Sequence, residues 1–396
     1  MVFLVLLQLH LEIYQQISFI FRFWLYRINY QKGNKMNIYY LCLTQQSNMG
    51  DLVINRMLIQ ELGKYGTVYV DCYGVSKKFK HYILNSQNTI DVYKEYGISL
   101  KKANLIKFAD FTKRFNIRLF VQSPGPIAEP DSFLTKMYLR LVYKWVKMNH
   151  IPFYRIGSCC SAIMARKNKL HNCNVSYYFL RAKNTVEYMK SLGYNNVNYI
   201  PDLAYLLPTE NLTDKKKIAV INFREIKTDL STFMSWIKEV VSLLILNGYT
   251  VELYYQVQKD KIFMQAIYDN LSEYNIIFRD EMLWFDNIDY YADKELVISN
   301  RLHSVLVGAS YGVIPIAYID TDALIAKIKD IFLSSFYGKH SDYITTNRSL
   351  DVIKKALKNK EKYQMQVSYI FRKNKLLCQN IIKSIIENIN NESINS

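Results

Sequence analysis

The pattern of hydrophobic and polar positions changes at Met36. From there on, short runs of β-branched and aromatic residues alternate with segments of helical periodicity, as in a parallel sheet covered by helices. The first series predicts strands at residues 37–44, 67–72, 117–122 and 197–200, and helices at 52–64, 133–147 and 185–192. After a polar, turn-rich stretch at 208–217, a second series predicts strands at 218–223, 250–257, 276–279, 295–299 and 314–319, and helices at 230–246, 261–271, 302–310 and 321–332. A long helical region follows, and we expect Ser349 to cap its first turn.

This order of elements predicts an α/β fold with two Rossmann-like domains that face a cleft. We place the N-terminal domain at residues 36–212 and the C-terminal domain at 213–335. Residues 336–396 form a C-terminal helical tail in this division, and residues 1–35 form an N-terminal extension. Ligands of such sheets bind at the carboxyl ends of the strands, so we look for chemistry at those positions.

Residues 1–27 are the one segment that suggests a membrane. Glu12 and Arg22 interrupt its apolar run, and a spanning helix needs about 18 or more apolar residues with few or no charges. No small-residue cleavage site of a signal peptide follows. Two interpretations remain, an interfacial amphipathic helix and an extension upstream of a start at Met36. The strand pattern that begins at Met36 favours the extension.

The chain is basic, with 51 Lys and Arg against 34 Asp and Glu and a formal net charge of +17. Such an excess suggests nucleic acid, an anionic membrane or a phosphorylated substrate as a partner. No nucleic-acid-binding motif is present and the lysines are scattered, so we expect no nucleic acid partner. The densest basic cluster lies in the helical tail, where we favour a solvated helix face over docking to an anionic membrane. Its members are Lys354, Lys355, Lys358, Lys360, Lys362, Arg372, Lys373 and Lys375.

The cysteines predict neither a disulfide scaffold nor a zinc site. The chain has six, without a CxxC pair or a neighbouring His at zinc spacing. We expect them to be reduced and mostly buried, which fits a cytoplasmic protein. No His, Cys and Asp cluster has the spacing of metal ligands, so we predict no metal.

The first candidate for chemistry joins a predicted strand to a predicted helix. It contains Asn48, Gly50 and Asp51. Asn or Asp can cap the helix, and the free N–H groups of its first turn can hold an anion. The sequence is not a phosphate-binding loop of the Walker type, because the second Gly and the Lys are missing. A capped structural turn is an equally good interpretation of these residues alone.

The second candidate also follows a predicted buried strand and opens a helix. It contains Asn300, Arg301, Leu302 and His303. A guanidinium at a helix N-terminus can grip two oxygens of a phosphate or carboxylate, and a His there can transfer a proton. The alternative is a surface Arg and a buried structural His.

Further polar residues lie at the ends of other predicted strands. Each position is also compatible with an ordinary turn, but together they predict a polar edge on both domains. These residues are Gln122, Ser123, Arg181, Asp202 and Arg224.

In their order along the chain, these motifs resemble the polysaccharide pyruvyl transferase family over roughly residues 36–330. The resemblance also includes Gly125-Pro126, Leu192-Gly193 and Gly312-Val-Ile-Pro315. It implies a fold similar to that of the B-type glycosyltransferases. It also implies transfer of a pyruvyl group, as a ketal, from phosphoenolpyruvate to a sugar hydroxyl of a surface polysaccharide. The chain departs from the family pattern at Ala182, Lys183 and Leu203.

The resemblance assigns roles to the candidate residues. Arg301 and His303 belong to the donor site, where Arg301 and Arg181 would hold anions and His303 would move a proton, with Asp51 as a further catalytic candidate. The other expected substrate-binding residues are Asn48, Gly50, Gln122, Ser123, Asp202, Arg224, Asn300 and Leu302.

The resemblance also fixes what we expect around the protein. Phosphoenolpyruvate is the donor substrate, and no cofactor or metal is required. The acceptor is a glycan or a lipid-linked sugar, and the protein is cytoplasmic or peripheral at the inner face of the membrane. Two rival functions remain: a nucleotide-sugar-dependent glycosyltransferase of the same fold, with Asp320 and Asp322 as candidates to bind a ribose, and a non-catalytic relative.

Overall fold

The computed structural model describes residues 36–102, 105–127, 133–167, 174–209, 215–226, 229–319 and 326–392. The predictions for residues 1–35, for the linker residues 210–214 and for Cys173, Asp320 and Asp322 lie outside these ranges.

The first half of the chain builds an eight-stranded sheet in the order β3-β2-β1-β4-β6-β7-β8, with β5 paired to β6. Strand β1 pairs with β4 in parallel, and the pairing stays parallel through β6 and β7 to β8. All six positions of β1 are buried, because helices cover both faces of such a sheet. The strands are β1 (Met36–Leu41), β2 (Gly66–Asp71), β3 (Thr89–Asp91), β4 (Ile117–Gln122), β5 (Gly125–Pro126), β6 (Phe153–Cys159), β7 (Tyr177–Leu180) and β8 (Val197–Tyr199).

The helices of this half connect the strands. They are α1 (Met49–Gly63), α2 (Lys77–Leu84), α3 (Val92–Tyr96), α4 (Leu105–Arg114), α5 (Phe133–Met148), α6 (Ala162–Lys167) and α7 (Lys183–Ser191). A 3-10 turn at Leu203–Leu206 follows β8.

The second half builds a six-stranded sheet in the order β11-β10-β9-β12-β13-β14, and every neighbouring pair in it is parallel. Its strands are β9 (Ile218–Asn222), β10 (Thr250–Leu253), β11 (Ile277–Phe278), β12 (Leu296–Ser299), β13 (Ile314–Tyr318) and β14 (Ile344–Thr345). Its helices are α8 (Leu230–Leu246), α9 (Lys261–Asn270), α10 (Leu302–Ser310) and α11 (Ala326–Ser335).

Two C-terminal helices complete the fold, α12 (Asp351–Lys358) and the 33-residue α13 (Lys360–Glu392). Helix α13 contacts both halves. Lys360 at its start forms an ion pair of 2.9 Å with Glu295 of the second half. Further along, Lys375 donates to the Leu207 carbonyl of the first half at 3.1 Å. The helical tail therefore ties the two halves together.

The predicted α/β class is confirmed, and local signals explain which boundaries were accurate. Helix α8 has the predicted limits because both its ends are marked: Asp229 accepts a hydrogen bond from the Thr232 N–H, and Gly248 takes a φ of +78° after the last turn. Helix α1 begins three residues before the predicted residue 52, at Met49. The Ser349 cap is wrong by one position: Leu350 is the N-cap, and the Ser349 hydroxyl accepts from the Asp351 N–H at 3.0 Å.

Within the described ranges, no helix combines the length and the apolar character that crossing a bilayer requires.

Candidate active site where two helix N-termini meet

The first turns of α1 and α10 are in direct contact, which joins the first half of the chain to the second. Gly50 makes this contact possible. A Cβ atom added to Gly50 would lie 2.0 Å from His303 Nδ1 and 2.6 Å from His303 Cγ. The His303 ring therefore occupies the space that any other residue at position 50 would fill. Two motifs separated by about 250 residues form one site.

Asn48 is the N-cap of α1, which decides between the Asn and the Asp that the sequence left open as caps. Its Oδ1 accepts from the Gly50 N–H at 3.0 Å, and its Nδ2 donates to Asp51 Oδ2 at 3.3 Å. Asn48 also forms an isolated antiparallel bridge with Val257, which follows β10 in the other half. This residue thus orders the helix start and fixes it to the second half.

Replacing Asn48 with Ala should lower the free energy of unfolding by about 1 kcal/mol, because the helix loses its cap. Urea denaturation monitored by circular dichroism measures this loss. Asn48→Ser is the matched control, since a serine hydroxyl also caps a helix N-terminus and adds no charge beside Asp51. Equal stability of the Ala and Ser variants would contradict the capping role.

A buried charge cluster lies on the other side of His303. Asp202 is fully buried and accepts from Arg181 Nη1 at 2.7 Å and from the Ala204 N–H at 3.0 Å. His303 Nε2 lies 3.5 Å from Asp202 Oδ1, which places the imidazole beside this carboxylate. The cluster joins β7, the turn after β8 and α10.

The electrostatics of the cluster favour an ionised Asp202. Burial by itself would raise the pKa of Asp202, but the charges of His303 and Arg181 and the Ala204 N–H lower it, and the pKa lies well below its ordinary value. The pKa of Arg181 is raised, since the neighbouring Cys159 and Asp202 outweigh its loss of solvation. Both side chains therefore carry full charge around neutral pH.

Arg181 has an internal role in addition to the predicted contact with substrate. Its side chain is only 2% exposed, and its Nη2 donates to Cys159 Sγ at 3.3 Å. The buried Nε–H has no acceptor among the described residues. A direct contact between Arg181 and a substrate anion stays a prediction.

Arg301 is held by a carboxylate that the sequence did not single out. Its Nε donates to Asp260 Oδ2 at 2.8 Å and its Nη2 donates to Asp260 Oδ1, so that the pair is bidentate. Burial raises the pKa of Asp260, and Arg301 opposes that rise. Sequence reasoning missed Asp260, although it follows β10 and precedes α9, at the same type of strand end as the other candidates.

Arg224 and Asn300 extend the site to solvent. Asn300 Oδ1 accepts from the Arg224 N–H at 2.7 Å, and Asn300 Nδ2 donates to the Arg224 carbonyl at 2.9 Å. Burial and the nearby charge of Arg301 lower the pKa of Arg224. The Arg224 side chain is exposed, whereas the side chain of Arg301 is 16% exposed and that of Asp260 is buried, so the cationic cluster reaches solvent mainly through Arg224.

Buried hydroxyl and amide groups fix the start of α10 beneath this cluster. The Ser299 hydroxyl accepts from the Arg301 N–H at 2.9 Å. The Ser304 hydroxyl lies 2.8 Å from Asn222 Oδ1 and 2.9 Å from Gln256 Oε1. These contacts hold the ends of β9, β10 and β12 together, so the position of Arg301 is set by the sheet. Leu302 is buried beside them.

Gln122 and Ser123 lie at the end of β4 and their side chains contact the protein. Gln122 Oε1 accepts from the Tyr143 hydroxyl at 2.9 Å. The Ser123 hydroxyl donates to the Leu43 carbonyl at 2.7 Å and accepts from the Leu43 N–H at 2.9 Å. The structure thus uses both residues to shape the loops beside α1, and their predicted contact with substrate stays a prediction.

Asp51 lies in the first turn of α1 and is 8% exposed. Its Oδ1 is 3.9 Å from the position that a Cβ atom on Gly125 would take, so the loop after β4 reaches the start of α1.

Within the described part of the chain, no group of three or more His, Cys, Asp and Glu residues could hold a metal ion.

Comparison with known proteins relates part of the chain to a family. The family model for polysaccharide pyruvyl transferase matches residues 162–321. No curated protein matches the chain.

Solved structures show the fold. UDP-GlcNAc 2-epimerase from Neisseria meningitidis, bound to UDP-GlcNAc, superposes with a TM-score of 0.57 at 10% identity, over 89% of this chain and 99% of that one. Anabaena HepE in complex with UDP and glucose gives a TM-score of 0.53 at 11% identity, over 88% and 99%. A glycosyltransferase from Rickettsia africae gives 0.50 at 15% identity, over 90% and 99%. The predicted similarity to the B-type glycosyltransferase fold is therefore confirmed.

The family match includes both ion pairs, Arg181–Asp202 and Arg301–Asp260, and also His303. Over residues 162–321 the chain thus matches the polysaccharide pyruvyl transferase family, a family of transferases, as its motifs predicted.

Proposed function

We propose that this protein transfers a pyruvyl group from phosphoenolpyruvate to a sugar of a surface polysaccharide or of its lipid-linked precursor. The observation that carries the proposal is the contact of His303 with Gly50 beside the Arg301–Asp260 pair, within a segment that matches the family. We propose no cofactor besides the donor. The reaction would take place in the cytoplasm or at the inner face of the membrane.

The donor carries a phosphate and a carboxylate, so its site must supply fixed positive charge. Arg224 and Arg301 offer two guanidinium groups, and the N-terminus of α10 adds N–H donors. Asp260 already accepts hydrogen bonds from both Nε and Nη2 of Arg301. Donor oxygens would have to compete with this carboxylate, which would make Arg301 selective for strongly charged anions.

The proposed reaction adds one proton to a carbon atom of the donor and removes two protons from hydroxyl groups of the sugar. A proton adds to the methylene carbon of the donor, and one sugar hydroxyl attacks the adjacent carbon. Phosphate leaves, and a second hydroxyl of the same sugar closes the ketal. The two hydroxyl protons are balanced by the new methyl hydrogen and by the proton on inorganic phosphate. In this scheme His303, paired with Asp202, supplies or accepts the proton, and Asp51 is the second candidate for a proton acceptor.

Arg301→Ala and His303→Ala should each reduce pyruvyl transfer by a factor of about 100 or more, since general acid–base and anion-binding groups contribute on this scale. Phosphate release from phosphoenolpyruvate, with a panel of lipid-linked or nitrophenyl sugars, measures the rate, and mass spectrometry detects the ketal. Arg348→Ala is the matched control, because Arg348 is an exposed arginine of the same half. Near-normal turnover of both site variants would overturn the site assignment.

A thermal-shift comparison separates the proposal from its rivals. Phosphoenolpyruvate should stabilise the wild-type protein, and it should not stabilise Arg301→Ala. The Neisseria and Anabaena structures were solved with UDP-GlcNAc and with UDP and glucose, respectively. Stabilisation by a nucleotide sugar alone would favour a glycosyltransferase activity, and stabilisation by neither ligand would point to a non-catalytic relative.

A further inference from the structure

Helix α5 presents large apolar side chains to solvent. Five of them are between 46% and 76% exposed: Phe133, Leu134, Met137, Leu141 and Met148. At 100° per residue, they fall on one side of the helix. The opposite side carries Val142, Tyr143 and Val146, which are buried in the core of the first half. The helix is therefore apolar on its inner face, as packing requires, and apolar again on its outer face.

Positive charges border the outer apolar stripe of α5. Lys136, Arg140, Lys144 and Lys147 belong to this helix, and the segment 133–148 contains no Asp or Glu. Arg140, Lys144 and Lys147 are exposed. A stripe of large apolar residues bordered by Lys and Arg is typical of helices that lie in the interface of an anionic membrane. An ordinary solvated helix face would carry charges of both signs.

The neighbouring helix α4 extends this surface. The rings of Phe108 in α4 and Trp145 in α5 lie 5.4 Å apart, so the two helices pack side by side. Ile106 of α4 is 84% exposed and is followed by the exposed Lys107. Helix α4, which packs beside α5, thus also exposes an apolar and a basic residue, together with the exposed Asp110.

The helical tail offers a weaker surface of the same kind. Met365, Tyr369 and Leu376 of α13 are exposed, with Arg372 and Lys373 beside them. Only three large apolar residues are exposed along the described part of this 33-residue helix, which also contains Glu361 and Glu387. The tail therefore serves as an internal comparison for α5.

We infer that the outer face of α5 docks the protein onto an anionic lipid surface. The apolar stripe enters the boundary between headgroups and acyl chains, and the lysines and Arg140 contact the anionic headgroups. This inference does not depend on the chemistry of the donor site. Combined with the proposed function, it would bring the transferase to the membrane that carries lipid-linked sugars.

Co-sedimentation with vesicles tests the inference on the full chain. Wild-type protein should bind vesicles of phosphatidylcholine with phosphatidylglycerol, and its binding to phosphatidylcholine alone should be at least about tenfold weaker. Leu134→Gln with Leu141→Gln should weaken binding by about tenfold or more, since two exposed leucines no longer enter the bilayer. Lys144→Gln with Lys147→Gln should weaken it by up to about thirtyfold. Met365→Gln with Leu376→Gln, the matched control on α13, should bind like the wild type.

Three results would overturn the inference: the protein binds neither kind of vesicle, it binds both kinds equally, or the two α5 variants bind as well as the wild type. Loss of binding in the α13 control alone would move the site to the tail. A dimer that Leu134→Gln with Leu141→Gln dissociates, without vesicle binding, would assign the face to a second copy of the chain. Thermal melting of every variant ensures that unfolding is not mistaken for lost binding.

Discussion

Gly50→Ala should lower the free energy of unfolding by about 1–3 kcal/mol, the usual range for inserting an extra carbon into a packed interface. A loss of stability would be informative because Ala is otherwise favoured over Gly inside a helix by about 1 kcal/mol. The added Cβ would lie 2.0 Å from His303 Nδ1, so the ring must move or the two helix starts must separate. Either shift displaces His303, and transfer should fall by about 100-fold. Urea denaturation and phosphate release measure the two effects.

A double-mutant cycle identifies the cause of that loss. In Gly50→Ala with His303→Ala, the truncated side chain leaves room for the new methyl group. The double variant should then recover about 1 kcal/mol or more relative to Gly50→Ala alone, because residues in contact couple on this scale. Additive stability losses would show that the clash with His303 is not the reason. Activity does not enter this comparison, so it holds whichever reaction the protein catalyses.

The alternation of strands and helices was predictable from sequence because its signals are local. In the strand Ile218–Asn222 the first four residues are apolar, and the helix after it is marked at both ends. Strand β6 (Phe153–Cys159) was missed for an equally local reason. Arg155 and Gly157 interrupt its apolar pattern, and Gly157 takes a φ of +73° where the strand is irregular.

The candidate residues were predictable as a set, because polar side chains at strand carboxyl ends are visible in the sequence. Their partners were not. The pairing of Arg301 with Asp260 joins residues 41 positions apart, and the pairing of Arg181 with Asp202 joins strands that lie next to each other only in the folded sheet. Sequence spacing carries no information on which carboxylate a given arginine meets, since that depends on the register and twist of the sheet.

The two ion pairs of the site differ in their exposure to solvent, and we expect them to differ in role. Arg181 and Asp202 are almost fully buried, whereas Arg301 is partly exposed and lies beside the exposed Arg224. A buried pair holds elements in place, and an exposed cationic cluster is available to an incoming anion. His303 lies beside the buried pair, 3.5 Å from Asp202, and its ring occupies the space that a side chain at position 50 would need.

Asp202→Asn should lower the free energy of unfolding at pH 7 by about 3–5 kcal/mol, the usual result of leaving one charge of a buried pair without its partner. The asparagine keeps the shape of the side chain, so the loss reports the charge of Arg181. Arg181→Met with Asp202→Asn removes both charges and should recover about 1–3 kcal/mol relative to Asp202→Asn alone. Urea denaturation of the three proteins measures these differences. A double variant less stable than Asp202→Asn would contradict a cost that arises from the unpaired charge.

The pH dependence of this deficit checks the same pair independently. The pKa of Asp202 is well below its ordinary value in the folded protein, whereas the pKa of an Asp in the unfolded chain is about 4. The ionised Asp202 therefore contributes its full stability above about pH 4, and the contribution is lost as the pH falls from there through the folded pKa. The deficit of Asp202→Asn should accordingly be present at about pH 5 and should shrink as the solution becomes more acidic than about pH 4. A deficit that stays unchanged down to about pH 2 would mean that the ionisation of Asp202 does not stabilise the fold, because at that pH the unfolded carboxyl group is already protonated and most of the contribution should have been lost.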